Sequence, residues 1–390
     1  MSEFAGRISR PRPERAGTGV ATRPATRTPA GVPIWDPLDL NPYLYFDAAV
    51  NVSASGGSVS LWYGQWYGGS APSNGLANYL KQGTAEWQPT HSTDGYIQFD
   101  AVDTRLEYDP ATTQAGVLIC ATDNGCFAYE VDADSIDEVT ALGWEKGYFQ
   151  ALKLYAMVLL PATVTDVQIA GVIDYLITEK GATKNPTGSL ASYWRGRTDL
   201  VTPKFAALDF SGVTDFTDAW QSCTSLTSFP ALNLSRGTSF NWAWYNTGLL
   251  SFPALDLSAA LSLYTAWYYC DEMISWGACD VTACKLFGYA WSHCTAMTTF
   301  PAGVFDDWNP ASVANSCFEN AWSGCTALTA TSVENILNSL ATAGNAAPSS
   351  GVDIPIDYNA GTGTPSVATA VGILKGLSPA WTITLNGTPQ

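Results

Sequence analysis

Phe229-Pro-Ala-Leu-Asn-Leu-Ser235 and Phe252-Pro-Ala-Leu-Asp-Leu-Ser258 are one phrase written twice. It opens earlier as Phe205-Ala-Ala-Leu-Asp-Phe-Ser211 and recurs more loosely as Trp276-Gly-Ala-Cys-Asp-Val-Thr282 and Phe300-Pro-Ala-Gly-Val-Phe-Asp306. Its first aromatics stand 24, 23, 24 and 24 residues apart. A second phrase keeps the same beat: Ala219-Trp220-Gln-Ser-Cys223, Ala243-Trp244, Ala266-Trp267-Tyr-Tyr-Cys270, Ala290-Trp291-Ser-His-Cys294 and Ala321-Trp322-Ser-Gly-Cys325. A fixed period in the twenties is the mark of a solenoid. Each unit is too short to bury its apolar face alone and must stack on a neighbour. Trp220, Trp244, Trp267, Trp291 and Trp322 are therefore expected in the core, with Cys223, Cys270, Cys294 and Cys325 as a column of small buried thiols. The second unit departs from the pattern: Thr247 stands where the others have Cys, and the unit is one residue shorter.

The combined phrase Ala-Trp-x-x-Cys-Thr-x-Leu-x-x-Phe-Pro-Ala-Leu resembles the BspA-type leucine-rich repeat over Phe205 to Leu328. Trp takes the place of the more usual Phe after Ala. The resemblance implies a leucine-rich-repeat solenoid over residues 205–328.

Upstream, residues 1–33 are of another material. Arg7, Arg10, Arg12, Arg15, Arg23 and Arg27 face only Glu3 and Glu14, leaving the segment at +4 and the rest of the chain at −21. Five prolines and few large apolar residues give it no core, so it is expected to be an extended basic arm that docks on an acidic partner. Residues 34–184 read as a β-domain closed by a helix. Val59–Tyr63 and Tyr96–Asp100 alternate at strand period, and Val117–Val131 reads as a hairpin whose Asn124-Gly125 tip supplies two positive-φ positions. Thr165-Asp-Val-Gln168 is a capping box, followed by Ile169, Val172, Ile173, Leu176 and Ile177 on one face and by Gly181 at the C-cap. The order of phrases from Trp35-Asp-Pro-Leu38, through Asp94-Gly-Tyr-Ile-Gln-Phe-Asp100, to Leu154-Tyr-Ala-Met-Val-Leu-Leu-Pro161 and the helix resembles a concanavalin A-like (laminin-G-like) module. That implies a reduced jelly-roll β-sandwich. Residues 185–204 have linker composition and an N-cap in Tyr193-Trp194.

Downstream, residues 329–390 form a C-terminal cap. Thr331-Ser-Val-Glu334 reads as a second capping box, with a further helix near Val367–Leu377 and a last strand at Trp381–Leu385. This closing segment resembles that of phage and prophage proteins carrying such repeats. The expected fold class is mainly β with short helices, a reduced jelly roll followed by the solenoid.

Composition narrows the function. Thirty-five acidic against 18 basic residues, a formal −17, argues against nucleic acid as a partner. No apolar run approaches the ~18 residues of a membrane span, and no apolar stretch follows the N-terminal arginines, so neither membrane insertion nor a secretory signal is expected. Nine cysteines lack zinc-finger spacing; Cys279 and Cys284 have no second pair. His293 is expected to be packing within a repeat and His91 a surface loop residue. Asp132, Asp134, Asp137 and Glu138 crowd one loop without the glycine turn and distal Glu of a calcium loop. No nucleophile elbow, phosphate loop or zinc-protease motif is present. No catalytic residue, metal or cofactor is expected.

Aromatics are the binding signal. Trp62, Tyr63, Trp66 and Tyr67 sit among glycines, and Tyr245, Tyr268 and Tyr269 stand beside the core tryptophans of the repeats. Both groups are candidates for stacking on sugar faces or on a protein partner. The expected function is that of a virion structural protein of a tailed phage or phage-like particle, a tail fibre, spike or head decoration. It would be assembled in the host cytoplasm, exposed on the particle surface and used for attachment. The arm would bind other virion proteins, and the chain would form a homo-oligomer, a trimer in the case of a fibre. A bacterial surface adhesin and a polysaccharide-degrading enzyme are the alternatives.

Overall fold

The computed structural model describes residues 116–131 and 152–390 apart from 199, 206–207, 310–311 and 350–351, together with residue 94 and the backbone of short strands between residues 26 and 109. The described chain is mainly β, with three α-helices: α1 Asp166–Lys180, α2 Ala330–Ala343 and α3 Ala368–Gly376.

A twelve-stranded antiparallel network occupies the N-terminal part. Gly116–Thr122 pairs with Gly125–Val131 on one side and Leu152–Pro161 on the other. Period-2 alternation splits the side chains of these strands. Val117, Ile119, Ala121, Ala156, Val158 and Leu160 pack under α1, while Leu118, Cys120, Phe127 and Leu159 face the repeats. Both faces are thus buried, which is why the strand sequences read as continuous apolar runs. The capping box of α1 forms as the sequence expects, with Thr165 accepting from the Gln168 N–H, and Gly181 ends the helix at φ 75°. The hairpin tip differs. The two-residue loop is Asp123-Asn124, and only Gly125 has positive φ, at 133°. The Thr122 hydroxyl accepts from the Asn124 N–H at 3.1 Å and donates to the Gly125 carbonyl at 2.9 Å, and this local pair sets the turn.

The repeats stack on one another. Trp194, Trp220, Trp244, Trp267, Trp291 and Trp322 form a column of near-parallel rings with successive centroids 5.1, 5.4, 5.2, 5.8 and 5.1 Å apart. The segment 185–204, expected as linker and N-cap, supplies the first rung around Tyr193 and Trp194. Tyr193 and Trp194 are buried, and Thr187–Ser189 pairs in parallel with Gly212–Asp215. Phe229, Phe252, Trp276 and Phe300 each stand edge-to-face between two consecutive tryptophans. Phe216, Phe240, Phe287 and Phe318, four residues before their tryptophans, lie nearly coplanar beside them. Asp209, Asn233, Asp256 and Asp280 each accept from the N–H two residues on, so the polar pair in each Leu-Asp-Leu-Ser-type phrase is a repeated local turn.

Backbone handedness alternates in the tryptophan segments. Asp218 and Ser222, two residues before and after Trp220, have φ of 56° and 58°. The same two positions are left-handed in the other rungs: Ser192 and Gly196, Trp242 and Asn246, Thr265 and Tyr269, Tyr289 and His293, Asn320 and Gly324. Alternation sends every second N–H to the next unit. Phe216, Asp218, Trp220 and Ser222 donate to the carbonyls of Ser239, Asn241, Ala243 and Tyr245 at 2.8–2.9 Å, while Ala219, Gln221 and Cys223 donate back within their own segment. Every backbone N–H from Phe216 to Cys223 is thereby paired, that of Thr217 with the Asp215 carboxylate.

The inter-unit donors of the tryptophan segments all point toward the C-terminal end. There Asp357 closes the stack, its carboxylate accepting from the Gly324 N–H at 2.8 Å. Such an αR–αL run of N–H groups favours an anion. Trp322 bridges to Ile356 of the strand Asp353–Ile356, and Trp381 packs on Phe318. The capping box expected at Thr331 is displaced: α2 is capped by Thr329, and Glu334 instead accepts from the Ser366 N–H at 2.6 Å.

The core indoles leave one debt. The Nε1 groups of Trp220, Trp244, Trp267, Trp276, Trp291 and Trp322 are buried without a hydrogen-bond partner, offset in part by surrounding ring faces, which are weak acceptors. Trp267→Ala should therefore cost about 3–5 kcal/mol. Trp267→Phe keeps a ring and removes the orphan donor, and should cost markedly less; denaturant unfolding of both variants measures the difference.

Candidate functional site: an aromatic face on the repeats

In three successive units the residues flanking the core tryptophan carry large rings. Trp242 and Tyr245 come from one unit, Tyr264, Tyr268 and Tyr269 from the next, and Tyr289 and His293 from the third. All are partly buried except Tyr269, which is exposed. They form one connected patch. Trp242 meets Tyr245 at 5.1 Å and Tyr264 at 6.3 Å, and Tyr264 meets Tyr289 at 5.9 Å. Tyr268 lies 5.6 Å from Tyr245, 4.4 Å from Tyr269 and 5.9 Å from Tyr289. His293 closes the patch 4.7 Å from Tyr269.

The following unit makes room for the rings. A Cβ on Gly288 would stand 3.1 Å from two edge atoms of Tyr264, and one on Gly324 would stand 3.3 Å from the His293 ring. Four of the seven rings also sit on left-handed backbone: Trp242, Tyr269, Tyr289 and His293, all with φ of 58–59°. For L-residues with a side chain this region is costly. Other rungs fill the same positions with Ser, Asp, Asn or Gly, apart from the buried Thr265.

Polar groups edge the patch. The Tyr289 hydroxyl donates to Glu319 Oε1 at 3.3 Å, and Ser292 Oγ lies 3.0 Å from His293 Nδ1. Burial pushes the Tyr268 phenol up to about 12, with its neighbour Tyr269 adding to the shift, and burial also raises Tyr264. Burial raises the Asp271 carboxyl, opposed by the nearby His293. Tyr264 and Tyr268 therefore stand as neutral phenols at neutral pH.

The structure brings Tyr245, Tyr268 and Tyr269 together as the sequence suggests, and adds Trp242, Tyr264, Tyr289 and His293. His293 is half-buried against tyrosines on the outer face. Aligning the units on their tryptophans would have exposed the recurrence of rings at the flanking positions. Trp62, Tyr63 and Trp66 fall on the strands Ser58–Tyr63 and Gln65–Trp66, with side chains outside the described residues, as is Tyr67. Arg27 falls on the strand Thr26–Arg27, paired with Pro33–Ile34; Arg7, Arg10, Arg12, Arg15, Arg23 and the acidic loop of residues 132–138 lie outside the described residues.

Comparison with protein-family models, with curated proteins and with solved structures finds no match to this chain.

The thiols serve packing. All nine cysteines are buried thiols outside any disulfide. Cys223, Cys270, Cys294 and Cys325 donate to the carbonyls of Trp194, Trp244, Trp267 and Trp291 at 2.9, 3.0, 3.2 and 2.9 Å, each reaching one rung back. Thr247, in the unit without Cys, donates to its own Trp244 carbonyl at 3.0 Å. Burial raises the Cys270 thiol to about 11 and Cys126, Cys279 and Cys284 to about 12. A protonated, buried thiol is a poor nucleophile. The folded protein keeps protons that the unfolded chain releases above roughly pH 8.5, so this stability is complete below that pH and lost as pH climbs toward the folded values. Each such thiol should forfeit about 1.4 kcal/mol per pH unit in that window. Denaturant midpoints should fall steeply on the alkaline side, and Cys270→Ala should flatten the fall.

Proposed function

We propose that this protein is a recognition component of a tailed-phage or phage-like particle, a fibre, spike or decoration protein that attaches through its basic arm. In this reading the stack is a solenoid of BspA-type leucine-rich repeats that presents its aromatic face to a host surface, and the N-terminal sheet is a reduced jelly roll. The supporting observation is the cost of the face. Trp242, Tyr269, Tyr289 and His293 occupy left-handed positions that Asn, Ser or Gly fill elsewhere in the same stack. Residues kept in unfavourable backbone regions point to function. The rings are set on a rigid scaffold, as binding groups need to be. Attachment without turnover is the activity that fits them.

Two experiments test this. Tyr269→Asn and Tyr289→Asn relieve backbone strain of about 1–2 kcal/mol at the expense of surface ring contacts. Both variants should keep stability within about 1 kcal/mol of the parent yet lose retention on host cells. Destabilisation on the scale of a core tryptophan deletion, with retention intact, would sink the reading. Separately, a chain lacking residues 1–33 should fold normally and fail to join particles; undiminished incorporation would remove the anchoring role of Arg7, Arg10, Arg12, Arg15, Arg23 and Arg27.

A further inference from the structure

We propose that the aromatic face takes a linear, neutral polysaccharide of equatorially linked pyranoses, lying along the stack with one sugar per repeat unit. This rests on the recognition reading above and narrows it to a ligand class and a register.

The face is periodic along one direction. Consecutive units are tied by N–H to carbonyl bonds such as Trp244 to Ala266 and Trp267 to Ala290, both 2.8 Å, which sets a step close to the ~4.8 Å of neighbouring strands. The rings advance by one per unit in two rows, with successive centroids 5.6–6.3 Å apart and successive ring planes inclined by 53–76°. One row runs Tyr245, Tyr268, then His293, with Tyr268 5.6 Å from each of the other two. The other runs Trp242, Tyr264, Tyr289, and ends on the carboxylate of Glu319 in the next unit. A polymer of equatorially linked pyranoses advances by one ring length per residue, a distance close to this step. Its sugars present apolar C–H faces to either side and hydroxyls along both edges. The C–H faces suit the negative ring faces of Tyr and Trp. The hydroxyl edges suit tyrosine hydroxyls and carboxylate acceptors, which Glu319 supplies beside Tyr289 and Asp271 beside His293. An axially linked chain coils and does not keep step with rings supplied one per unit.

Charge selects against the other polymers. Residues 241–297 carry Asp256, Asp271, Glu272 and Asp280 against Lys285 alone. A polyanionic glycan or a nucleic acid meets no cationic track here and is repelled. Each row takes one ring from each of three successive units, so a polymer whose own repeat matches fits them better than the irregular surface of a folded protein.

The test uses the full chain and calorimetric titration with β-1,4-linked gluco- and chito-oligosaccharides of two to six sugars, with α-1,4-linked gluco-oligosaccharides and a β-linked uronic-acid polymer alongside. Affinity should rise about two- to tenfold per added sugar. The rise should stop once the ligand spans the units bearing Trp242, Tyr264, Tyr289 and Glu319. Tyr264→Ala and Tyr289→Asn should each remove about one such step. The α-linked and anionic chains should bind at least tenfold more weakly. Length-independent binding, or equal binding of the α-linked or anionic chains, overturns the inference and leaves the recognition reading standing. So does retention on host cells that protease treatment, but not glycan removal, abolishes. Retention unaffected by Tyr289→Asn defeats the recognition reading itself.

Discussion

The alternation of right- and left-handed backbone in each tryptophan segment is the constraint from which the described structure follows. It divides the amides into two sets, one closing turns within a unit and one reaching the next unit. A chain that buried this much backbone without such a division would strand donors in an apolar core, at a cost of about 1–3 kcal/mol each. The alternation also explains the small residue before the tryptophan. Ala219, Ala243, Ala266, Ala290 and Ala321 are fully buried, and each accepts the inter-unit bond from the preceding core tryptophan N–H, those of Trp194, Trp220, Trp244, Trp267 and Trp291 in turn. A larger side chain there would compete for the space the stacked indoles fill.

Because the inter-unit donors of the tryptophan segments all point one way, the two ends of that column are chemically different and are closed differently. At the N-terminal end Phe127 of the sheet packs on Tyr193, Trp194 and Phe205, at 4.9, 5.0 and 5.8 Å, and Lys204 N–H donates to Ala128. The apolar core therefore runs unbroken from the sheet into the repeats. At the C-terminal end the closing group is a carboxylate, that of Asp357, backed by Trp381 and the strands around it. Apolar cover meets one end and a negative charge meets the donor end.

The same scaffold supports an expensive outer face. The left-handed positions are a property of the stack, and the residue placed on them is free to vary so long as its backbone tolerates the conformation. Where Gly, Asn or Ser stands there, stability and geometry agree. Where Trp242, Tyr269, Tyr289 and His293 stand, they conflict, and that conflict is the observation behind the proposed binding role. Gly288 and Gly324 carry the complementary signal, since they leave space for a ring of the preceding unit.

Much of this was legible in the residues. The 23- and 24-residue steps identify the tryptophans and cysteines that line up, Thr165 and Gln168 mark the start of α1, and Tyr245, Tyr268 and Tyr269 stand out as rings beside core positions. The first rung was hidden because Trp194 is preceded by Tyr193 and followed by Arg197 where Ala and Cys are usual. The cap of α2 was misplaced by two residues because Thr331 and Glu334 copy a capping box while Thr329 holds the extended backbone that a cap needs. What the sequence determined by itself is the period and the identity of the side chains that must stack, since both are carried by residues at fixed covalent spacing. What only the tertiary structure decided is the sign of φ at the flanking positions and the meeting of seven rings from three units, because both are imposed by hydrogen bonds to a neighbouring unit and not by the side chain at the position.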